Sequence, residues 1–315
     1  MYAQGQGSGS TVAIAGADER PGPDGRILLN SGPSPRGWHR IESILRCLQL
    51  YAYHAILQLN FGVREPLTKG SLGHAGLAHV YAREQAVQLK RSPDAYHTPA
   101  EALVRTARTI GPQGEEWRPL SEKAIAAYQD FYATDKFKVL EVEQVHSARI
   151  GAELGRVGHD GQPGYLFTQR FDLVVEDRNG RVWVWDHKFV GSIDKRKLLR
   201  YSLSGQFLGL ERFGRATWGE RFGGVKVNLV EWGTDRDKPE FKFDRVAPKP
   251  APNMLARFTQ IIIDAEDRAA AVARRDPWDY PKAASEQVCV GPYGQCDAYL
   301  LCQWGPRGLE MKDDL

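Results

Sequence analysis

The chain has 315 residues, of which 42% are hydrophobic and 26% charged, so it is long enough and apolar enough to form one large buried core. The basic and acidic side chains leave a net charge of only +3, and a nucleic-acid partner would therefore have to be bound by a local basic groove. The sequence contains no apolar run of about 18 residues, the length of a membrane helix. The N-terminus MYAQGQGSGS lacks the basic start and apolar middle of a secretory signal, so we expect a cytoplasmic protein without a membrane partner.

The first part of the chain predicts an arm followed by helices. Residues 1–34 are rich in Gly, Ser, Pro and Asp, with only TVAIA and RILL apolar in character, which predicts a flexible N-terminal arm or a late addition to the core. The stretch WHRIESILRCLQLYAYHAILQL repeats apolar residues every three or four positions, and so predicts an amphipathic helix with Cys47 on or near its buried side. A second helix is predicted over about 71–89. Residues 92–135 mix Pro and Gly with helical segments, as in a helical insertion.

Strand signals dominate the next part of the chain. The segments KVLEVEQVHSARI, YLFTQRFDLVVE and RVWVWDHKFV are rich in β-branched and aromatic residues. A helix near 195–212, a strand at GVKVNLVEW and a helix over about 253–275 follow. This order of elements predicts a mixed α/β domain.

Two opposite charges stand in the otherwise apolar segment VWVWDHKF. Because alternate side chains of a strand share a face, Asp186 and Lys188 are expected to point the same way and His187 to point away. Burying a lone ion is costly, and an opposite charge, a metal or a phosphate offsets that cost. An ordinary buried ion pair and a binding site therefore both remain open for this strand.

The turn DRNG, just before this strand, decides which residue lies opposite the charged pair. A two-residue turn of Asn179 and Gly180 would place Asp172 opposite His187, on the wrong face. A three-residue loop that ends in a left-handed Gly180 would instead place Asp172 opposite Asp186. We predict this second, bulged turn. Adjacent carboxylates repel each other unless a cation lies between them, and divalent metals bound through carboxylate oxygens suit such a site.

The motif G-x-L-G-H at Gly70–His74, followed by FDLVVEDRNGRVWVWDHK, resembles the RecB-like branch of the PD-(D/E)XK nuclease superfamily. The resemblance implies a single domain over 35–315 with a restriction-endonuclease-like mixed β-sheet core flanked by helices. It also implies phosphodiester hydrolysis with Mg²⁺ or Mn²⁺ as the metal. The implied metal ligands are His74, Asp172, Asp186 and the backbone carbonyl of His187, and the implied catalytic residues are Asp172, Asp186 and Lys188.

The helix after the lysine strand carries part of a further motif of this family, Q-x-x-x-Y. Gln206 matches the first position of the motif and is implied as a contributor to catalysis, whereas Leu210 stands at the position of the tyrosine. Glu143 in LEVEQVH resembles a glutamate often present on the strand before these motifs. A solvated strand face explains Glu143 equally well.

The chain has four cysteines, namely Cys47 and a C-terminal trio with the spacing C-x6-C-x5-C. Disulfides are disfavoured in an intracellular chain, and neither tail spacing is the C-x2-C of a zinc knuckle, so metal binding of another kind is expected. Together with RIESILRCLQLYAY, the arrangement resembles the iron-sulfur exonucleases of RecB type. That resemblance implies one [4Fe-4S] cluster, held by a tail over about 285–305, with the ligands Cys47, Cys289, Cys296 and Cys302.

A basic run follows the lysine strand and consists of Lys195, Arg196, Lys197 and Arg200. Such a run alone commonly marks a solvated helix face, but beside a nuclease site it suits the backbone of a DNA strand. The resemblance implies a sequence-nonspecific exonuclease that prefers single-stranded DNA ends, acting in recombination, repair, phage replication or CRISPR adaptation with a helicase or recombination partner. Two alternatives stay open, a catalytically silent iron-sulfur DNA-binding subunit and a zinc-stabilised scaffold.

Overall fold

The computed structural model describes residues 13–15, 20–21, 24–59, 65–232, 239–283, 285–291 and 294–308, and parts of the predicted arm lie outside these ranges. Contacts divide the chain into two compact units. The sheet unit comprises Met1–Pro35, Val63–Ala148 and Phe167–Ala256, and the cysteine unit comprises Arg36–Gly62, Arg149–Leu166 and Arg257–Leu315. Among the described helices, none combines the length and the apolar character that a membrane crossing requires.

The described strands and helices are numbered in chain order. The strands are β1 (Ala13–Ala15), β2 (Arg20–Pro21), β3 (Ile27–Leu28), β4 (Lys138–Ile150), β5 (Tyr165–Glu176), β6 (Val182–Val190), β7 (Phe222–Trp232), β8 (Phe241–Val246), β9 (Val290–Gly291) and β10 (Gly294–Gln295). The helices are α1 (Trp38–Arg46), α2 (Leu48–Tyr51), α3 (Glu65–Gln88), α4 (Pro99–Ile110), α5 (Pro112–Phe131), α6 (Lys195–Tyr201), α7 (Gly205–Trp218), α8 (Pro252–Val272), α9 (Glu286–Cys289) and α10 (Tyr299–Trp304), and a π-helical stretch, Ala52–Ile56, follows α2.

A mixed sheet forms the centre of the sheet unit. Within the described ranges it has six strands in the order β1-β4-β5-β6-β7-β8. Strand β6 pairs antiparallel with β5 and parallel with β7, and β7 pairs antiparallel with β8. The parallel pair requires a crossover connection, which contains α6 and α7. A mixed sheet with flanking helices confirms the α/β architecture predicted from the sequence.

The segment predicted as a helical insertion, 92–135, forms α4 and α5 beside α3. Helix α4 begins at a capping box, in which the Thr98 hydroxyl accepts from the N–H of Glu101 and the Glu101 carboxylate accepts from the N–H of Thr98. It ends at Gly111, whose φ of 95° is a conformation that favours glycine. These helices cover one face of the sheet, where the core includes Leu103, Ile125, Leu173, Val175 and Trp185.

The described part of the predicted arm contacts the rest of the sheet unit. Strand β1 pairs with β4, with Ile14 opposite His146. Leu29 is buried in the core of the sheet unit, and the guanidinium of Arg26 contacts both carboxylate oxygens of Glu101 at 2.9 and 2.8 Å. Burial of the apolar RILL segment offsets the entropy that this stretch loses on ordering.

The turn between β5 and β6 has the predicted bulged form. The N–H of Gly180 donates to the carbonyl three residues earlier across 3.0 Å, and Gly180 has a φ of 76°. Leu173 lies opposite Trp185, one position away from Asp172 and Asp186. The same register therefore makes the two carboxylates neighbours across the hairpin, as the turn prediction required.

An apolar cluster around Cys47 and Tyr53 forms a core in the cysteine unit. Elsewhere in this unit, a buried salt bridge between Arg40 and Glu266 joins α1 to α8. His159 Nε2 lies 3.1 Å from the other carboxylate oxygen of Glu266. Both Glu266 oxygens therefore have partners, which is the condition under which a buried carboxylate remains charged.

Candidate active site

Asp186 and Lys188 form an ion pair on β6, in which the carboxylate is buried and the lysine side chain is 26% exposed. The Lys188 Nζ lies 2.6 Å from Oδ2 of Asp186, and Asp186 is 2% exposed. Burial raises the pKa of Asp186 to about 6, although the Lys188 ammonium acts in the opposite direction. Burial alone would lower the pKa of Lys188, but Asp186 and Asp172 raise it above its usual value. Lys188 is therefore a fixed positive charge beside carboxylates.

Gln206 completes the contacts of Asp186. Its Nε2 donates to Oδ1 of Asp186 across 2.7 Å. The next residue of α7, Phe207, lies under the lysine, with Lys188 Nζ 5.5 Å from the ring centroid. Gln206 and Lys188 thus contact one oxygen each of Asp186. The structure therefore places the predicted residue Gln206 in the candidate site. The role of Asp186 as a metal ligand stays a prediction.

Asp172 on β5 connects the ion pair to helix α3. The backbone N–H of His187 donates to Oδ2 of Asp172 across 2.8 Å, and His74 Nδ1 lies 3.4 Å from the same oxygen. The residue before His74 is Gly73, where a Cβ atom would overlap the ring of Phe189. The glycine of the G-x-L-G-H motif therefore lets α3 come close enough to the sheet to bring His74 to Asp172.

Glu143 is a third potential ligand that the sequence left undecided. The residue is 1% exposed, so its interpretation as part of a solvated strand face is wrong. Its φ of 51° interrupts the alternation of β4, and Val142 and Glu143 are both buried. The Glu143 Oε2 atom has no hydrogen-bond partner among the described residues. His74, Glu143 and Asp172 each offer one potential ligand atom, and these three atoms lie within 4.8 Å of one another.

These three side chains fit a hard divalent cation. Burial raises the pKa of Glu143 well above its usual value, and the neighbouring Asp172 raises it further. Burial also raises the pKa of Asp172. Burial and the Lys188 ammonium together lower the pKa of His74 to about 4, so the imidazole is neutral and can offer a nitrogen to a metal. The Glu143 carboxylate has a cation nearby, the Arg170 guanidinium, whose Nη1 lies 3.8 Å from Oε2. A divalent metal would stabilise the charges of Glu143 and Asp172 further, and this donor set agrees with the predicted Mg²⁺ or Mn²⁺.

The ring of His187 lies on the other face of β6, as alternation predicts. Its Nδ1 is 2.8 Å from Nδ2 of Asn228, and the ring stacks on Tyr81 with centroids 5.8 Å apart. Asn228 lies beside His187 on β7 and also donates to the hydroxyl of Tyr128 across 2.5 Å. Tyr81, Tyr128 and Asn228 were not among the predicted site residues, although a lone asparagine in the apolar run GVKVNLVEW is a signal that could have indicated Asn228.

The predicted DNA-binding residues belong to α6, which follows β6. The side chains of Lys195, Arg196 and Lys197 lie outside the described residues, and Arg200 is exposed. The last residue of α6, Tyr201, packs against Phe207 with ring centroids 4.8 Å apart. Because Lys188 Nζ lies over the same Phe207 ring, the end of α6 is close to the active-site lysine.

The four predicted cluster ligands all belong to the cysteine unit and are free thiols. Cys47 is buried in the apolar cluster, and Cys296 and Cys302 pack against it. The N–H of Cys296 donates to the carbonyl of Cys289 across 2.7 Å. Burial raises the pKa of Cys302, and the sulfurs of the other three cysteines contribute to the increase. Four neighbouring thiols are the donor set that a [4Fe-4S] cluster requires.

The chain was compared with protein-family models, with curated proteins and with solved structures. A family model described as the PD-(D/E)XK nuclease superfamily matches residues 38–303, a range that contains the hairpin and all four cysteines. No curated protein matches the chain. A solved structure titled "Crystal structure of SSO0001" is similar with 14% sequence identity and a TM-score of 0.28, over 69% of this chain and 82% of that chain.

Proposed function

Because the chain belongs to the PD-(D/E)XK nuclease superfamily, whose members hydrolyse phosphodiester bonds, we propose that it is a metal-dependent DNA exonuclease that prefers single-stranded ends. The observation that carries this proposal is that Asp172 and the ion pair of the buried Asp186 with Lys188 are neighbours across a bulged hairpin. Ionisable groups with perturbed pKa values that cluster in this way are typical of catalytic sites.

Each residue of the site has a distinct task in the proposed reaction. His74, Glu143 and Asp172 would hold the metal, which supplies an activated water and a Lewis acid when it is bound. The Lys188 ammonium would offset the negative charge that accumulates on the scissile phosphate. Asp186 keeps that ammonium in place from 2.6 Å, and Gln206 in turn keeps the carboxylate of Asp186 in place.

A single DNA strand is the proposed substrate. The basic run at the start of α6, together with Arg200, would contact the phosphates of a strand whose scissile bond lies at Lys188. The packing of Tyr201 on Phe207 supports this placement, because it brings the end of α6 beside the lysine. Backbone contacts of this kind are tolerant of sequence. Recombination, repair, phage replication and CRISPR adaptation in the cytoplasm, with a helicase or recombination partner, are the proposed settings.

The test uses anaerobically purified protein, Mg²⁺ or Mn²⁺, and single-stranded oligonucleotides labelled at the 5′ or the 3′ end. Wild-type protein should degrade both substrates, and the label released first gives the polarity. Asp186→Ala and Lys188→Ala should each lose about 100-fold or more in rate while they retain DNA binding. Lys242→Ala is the matched control, because Lys242 is an exposed lysine of β8 that pairs with Glu231, and it should cleave normally. Equal rates in all variants would contradict the assignment, and cleavage of circular single-stranded DNA would contradict an exonuclease.

A [4Fe-4S] cluster on Cys47, Cys289, Cys296 and Cys302 is proposed as a structural cofactor. Its support is the packing of Cys47, Cys296 and Cys302 in one apolar cluster, together with the effect of the other three cysteines, Cys289 included, on the pKa of Cys302. The anaerobic protein should be brown, with a broad absorbance near about 400 nm from sulfur-to-iron charge transfer. Cys302→Ser should lose this absorbance band. Val288→Ala is the control, because Val288 packs against the same apolar cluster as these cysteines but has no sulfur, and it should keep the band. Zinc in place of iron in the purified wild type would contradict the cluster.

A catalytically silent DNA-binding subunit is the second candidate. The observation in its favour is Leu210, which is buried and stands where the family motif has a tyrosine. The same cleavage assay decides between the two functions. A wild-type protein that binds single-stranded DNA, carries the cluster and leaves both labels intact would establish the silent subunit and contradict the exonuclease.

A further inference from the structure

His187 contacts two residues of the candidate metal site, Asp172 through its backbone and His74 through its ring, with ring centroids 6.2 Å apart. Its N–H donates to Oδ2 of Asp172 across 2.8 Å, while its ring lies on the opposite face of β6 and the residue is 1% exposed. The residue after Asp186 therefore connects two sides of the sheet. Any contact that fixes the ring also fixes the peptide that holds the Asp172 carboxylate.

The ring of His187 is held by a set of buried polar contacts. Asn228 Nδ2 lies 2.8 Å from the ring Nδ1 and 2.5 Å from the Tyr128 hydroxyl. The Tyr128 hydroxyl is 2.6 Å from that of Tyr81, whose ring stacks on His187 with an interplanar angle of 1°. Arg245 Nε donates to Oδ1 of Asn228 across 3.5 Å. We call the set of Tyr81, Tyr128, His187, Asn228 and Arg245 the His187 clamp.

The orientation of the Asn228 amide follows from its partners. Arg245 can only donate, so the Asn228 oxygen faces it and the amide nitrogen faces His187 and Tyr128. The ring Nδ1 of His187 therefore accepts, which selects one tautomer. Arg245 is itself fixed, because its guanidinium lies 3.8 Å from the ring centroid of Trp185 and donates to the carboxylate of Asp135 across 2.6 Å.

Helix α3 connects the clamp to a second ligand. Tyr81 and His74 are seven residues apart on α3, which places them on one face of the helix about two turns apart. The stacking of Tyr81 on His187 therefore fixes the position of α3 along β6. His74 depends on that position for its distance of 3.4 Å from Asp172.

We infer that the His187 clamp is the positioning element of the metal site, because it sets Asp172 through the His187 peptide and His74 through helix α3. This inference rests on the proposed function. Apolar side chains could fill the same buried volume, and the clamp has a cost in stability, because Nε2 of His187 is buried without a hydrogen-bond partner among the described residues. Groups in this position, one layer behind the ligands, typically change metal affinity or activity by 10- to 100-fold.

The test compares two substitutions on the same face of β7. Asn228→Leu removes the amide that binds His187 and keeps the volume. Val230→Ala is the matched control, because Val230 lies two residues further along and is 1% exposed in the same core. The free Mn²⁺ remaining in titrations of each protein without DNA is measured by electron paramagnetic resonance. Hydrogen exchange of the His187 N–H is measured in EDTA.

Asn228→Leu should weaken Mn²⁺ binding about 10-fold or more and should accelerate exchange of the His187 N–H. Its cleavage rate should recover as Mn²⁺ is raised to saturation. Val230→Ala should lose thermal stability, but it should keep its Mn²⁺ affinity within about twofold and its His187 exchange rate. Equal Mn²⁺ affinities and equal exchange rates in the two variants, at temperatures below both unfolding transitions, would overturn the inference.

Two further outcomes are informative. If Asn228→Leu does not fold, Tyr128→Phe removes a single hydroxyl of the clamp and should change Mn²⁺ affinity and His187 exchange in the same direction. A wild-type protein that binds no Mn²⁺ would overturn the inference. A wild-type protein that binds Mn²⁺ but cleaves no DNA would contradict the proposed function alone, since neither the titration nor the exchange measurement depends on cleavage.

Discussion

Gln206 and Asp186 are joined by a hydrogen bond of 2.7 Å between Nε2 and Oδ1. The other carboxylate oxygen of Asp186 lies 2.6 Å from Lys188 Nζ. Because both contacts come from donors, they favour the charged carboxylate, although burial raises its pKa to about 6. The state of Asp186 at neutral pH therefore depends on two named side chains.

Replacement of Gln206 should move the pH dependence of cleavage. Gln206→Leu removes a donor to Asp186, so its pKa should rise and the acid limb of the pH–rate profile should shift to higher pH. Gln206→Glu adds a carboxylate beside Asp186, and the limb should move further, by about one to two units, with a rate at pH 7 reduced by about 2- to 10-fold. The measurement is the single-turnover rate between pH 5 and pH 9. Superimposable acid limbs in wild type and both variants would show that Gln206 does not influence Asp186.

Glu143 should contribute to metal affinity. Glu143→Gln keeps the shape of the side chain and removes its charge, and we expect Mn²⁺ binding to weaken about 10- to 100-fold. Glu141→Gln is the control, because the carboxylate of Glu141 pairs with His146 at 2.8 Å outside the candidate metal site. Titration with Mn²⁺ in the absence of DNA measures both variants. If they bind Mn²⁺ equally, Glu143 is not a ligand.

The metal-free protein should become less stable as the pH rises from the ordinary pKa of Asp186 to its raised pKa in the folded protein. The folded pKa of about 6 lies above the ordinary value of 3.8, so the folded state holds the proton more tightly and stability is lost between these two values as the pH rises. The shift corresponds to at most about 3 kcal/mol. The amide side chain in the variant Asp186→Asn cannot ionise, so the variant does not lose stability in this way. The free energy of unfolding of the variant minus that of wild type should therefore be more positive at pH 7.5 than at pH 5. Urea unfolding in EDTA at both pH values checks the difference, and an equal difference at both pH values would contradict the raised pKa.

Much of the fold and half of the site could be predicted from local pattern. Alternation placed Asp186 and Lys188 on one face of β6 and His187 on the other, and the turn chemistry of Gly180 set the register that makes Asp172 and Asp186 neighbours. Both predictions depend only on residues close in sequence.

The remainder depends on contacts that local pattern does not contain. Glu143 is buried because its backbone is left-handed, and no preference of glutamate predicts that conformation. Asn228 meets His187 because β7 pairs in parallel with β6 after a crossover, so the partner lies far away in sequence. The burial of Leu29 in the predicted arm has the same origin, since Leu29 shares a core with residues of α3 that are far away in sequence.

The two glycines of the G-x-L-G-H motif should respond to alanine in opposite directions. A Cβ at Gly70 meets nothing within 4 Å, whereas a Cβ at Gly73 would overlap the ring of Phe189. Gly70→Ala should stabilise the protein by about 1 kcal/mol through helix propensity. Gly73→Ala should destabilise it and weaken Mn²⁺ binding, because α3 and His74 must move away from the sheet. Thermal unfolding and Mn²⁺ titration of both variants check this, and a stabilising Gly73→Ala would show that the close approach of α3 is not required.

In the cysteine unit, Glu266 should be necessary for stability at neutral pH. Glu266→Gln leaves the buried Arg40 without its countercharge, which should cost about 3 to 5 kcal/mol. Burial acts to raise the pKa of Glu266, but His159 and Arg40 lower it below 4.5. The salt bridge therefore stabilises the protein fully above pH 4.5, and this stabilisation is lost as the pH falls through the pKa of Glu266 in the folded protein. Asp264→Asn, an exposed position on the same helix, should have little effect. Chemical denaturation at pH 7 measures both, and similar stabilities would refute the role of the salt bridge.

The bulged turn at Gly180 also limits how this protein can change over evolution. Surface loops ordinarily accept the gain or loss of a residue at little cost, because few contacts depend on their length. Here the loop length sets the register between β5 and β6. Deletion of one residue would shift that register by one position, and Asp172 and Asp186 would then lie on opposite faces of the sheet. Substitutions within the loop can accumulate, but its length is tied to the survival of the active site.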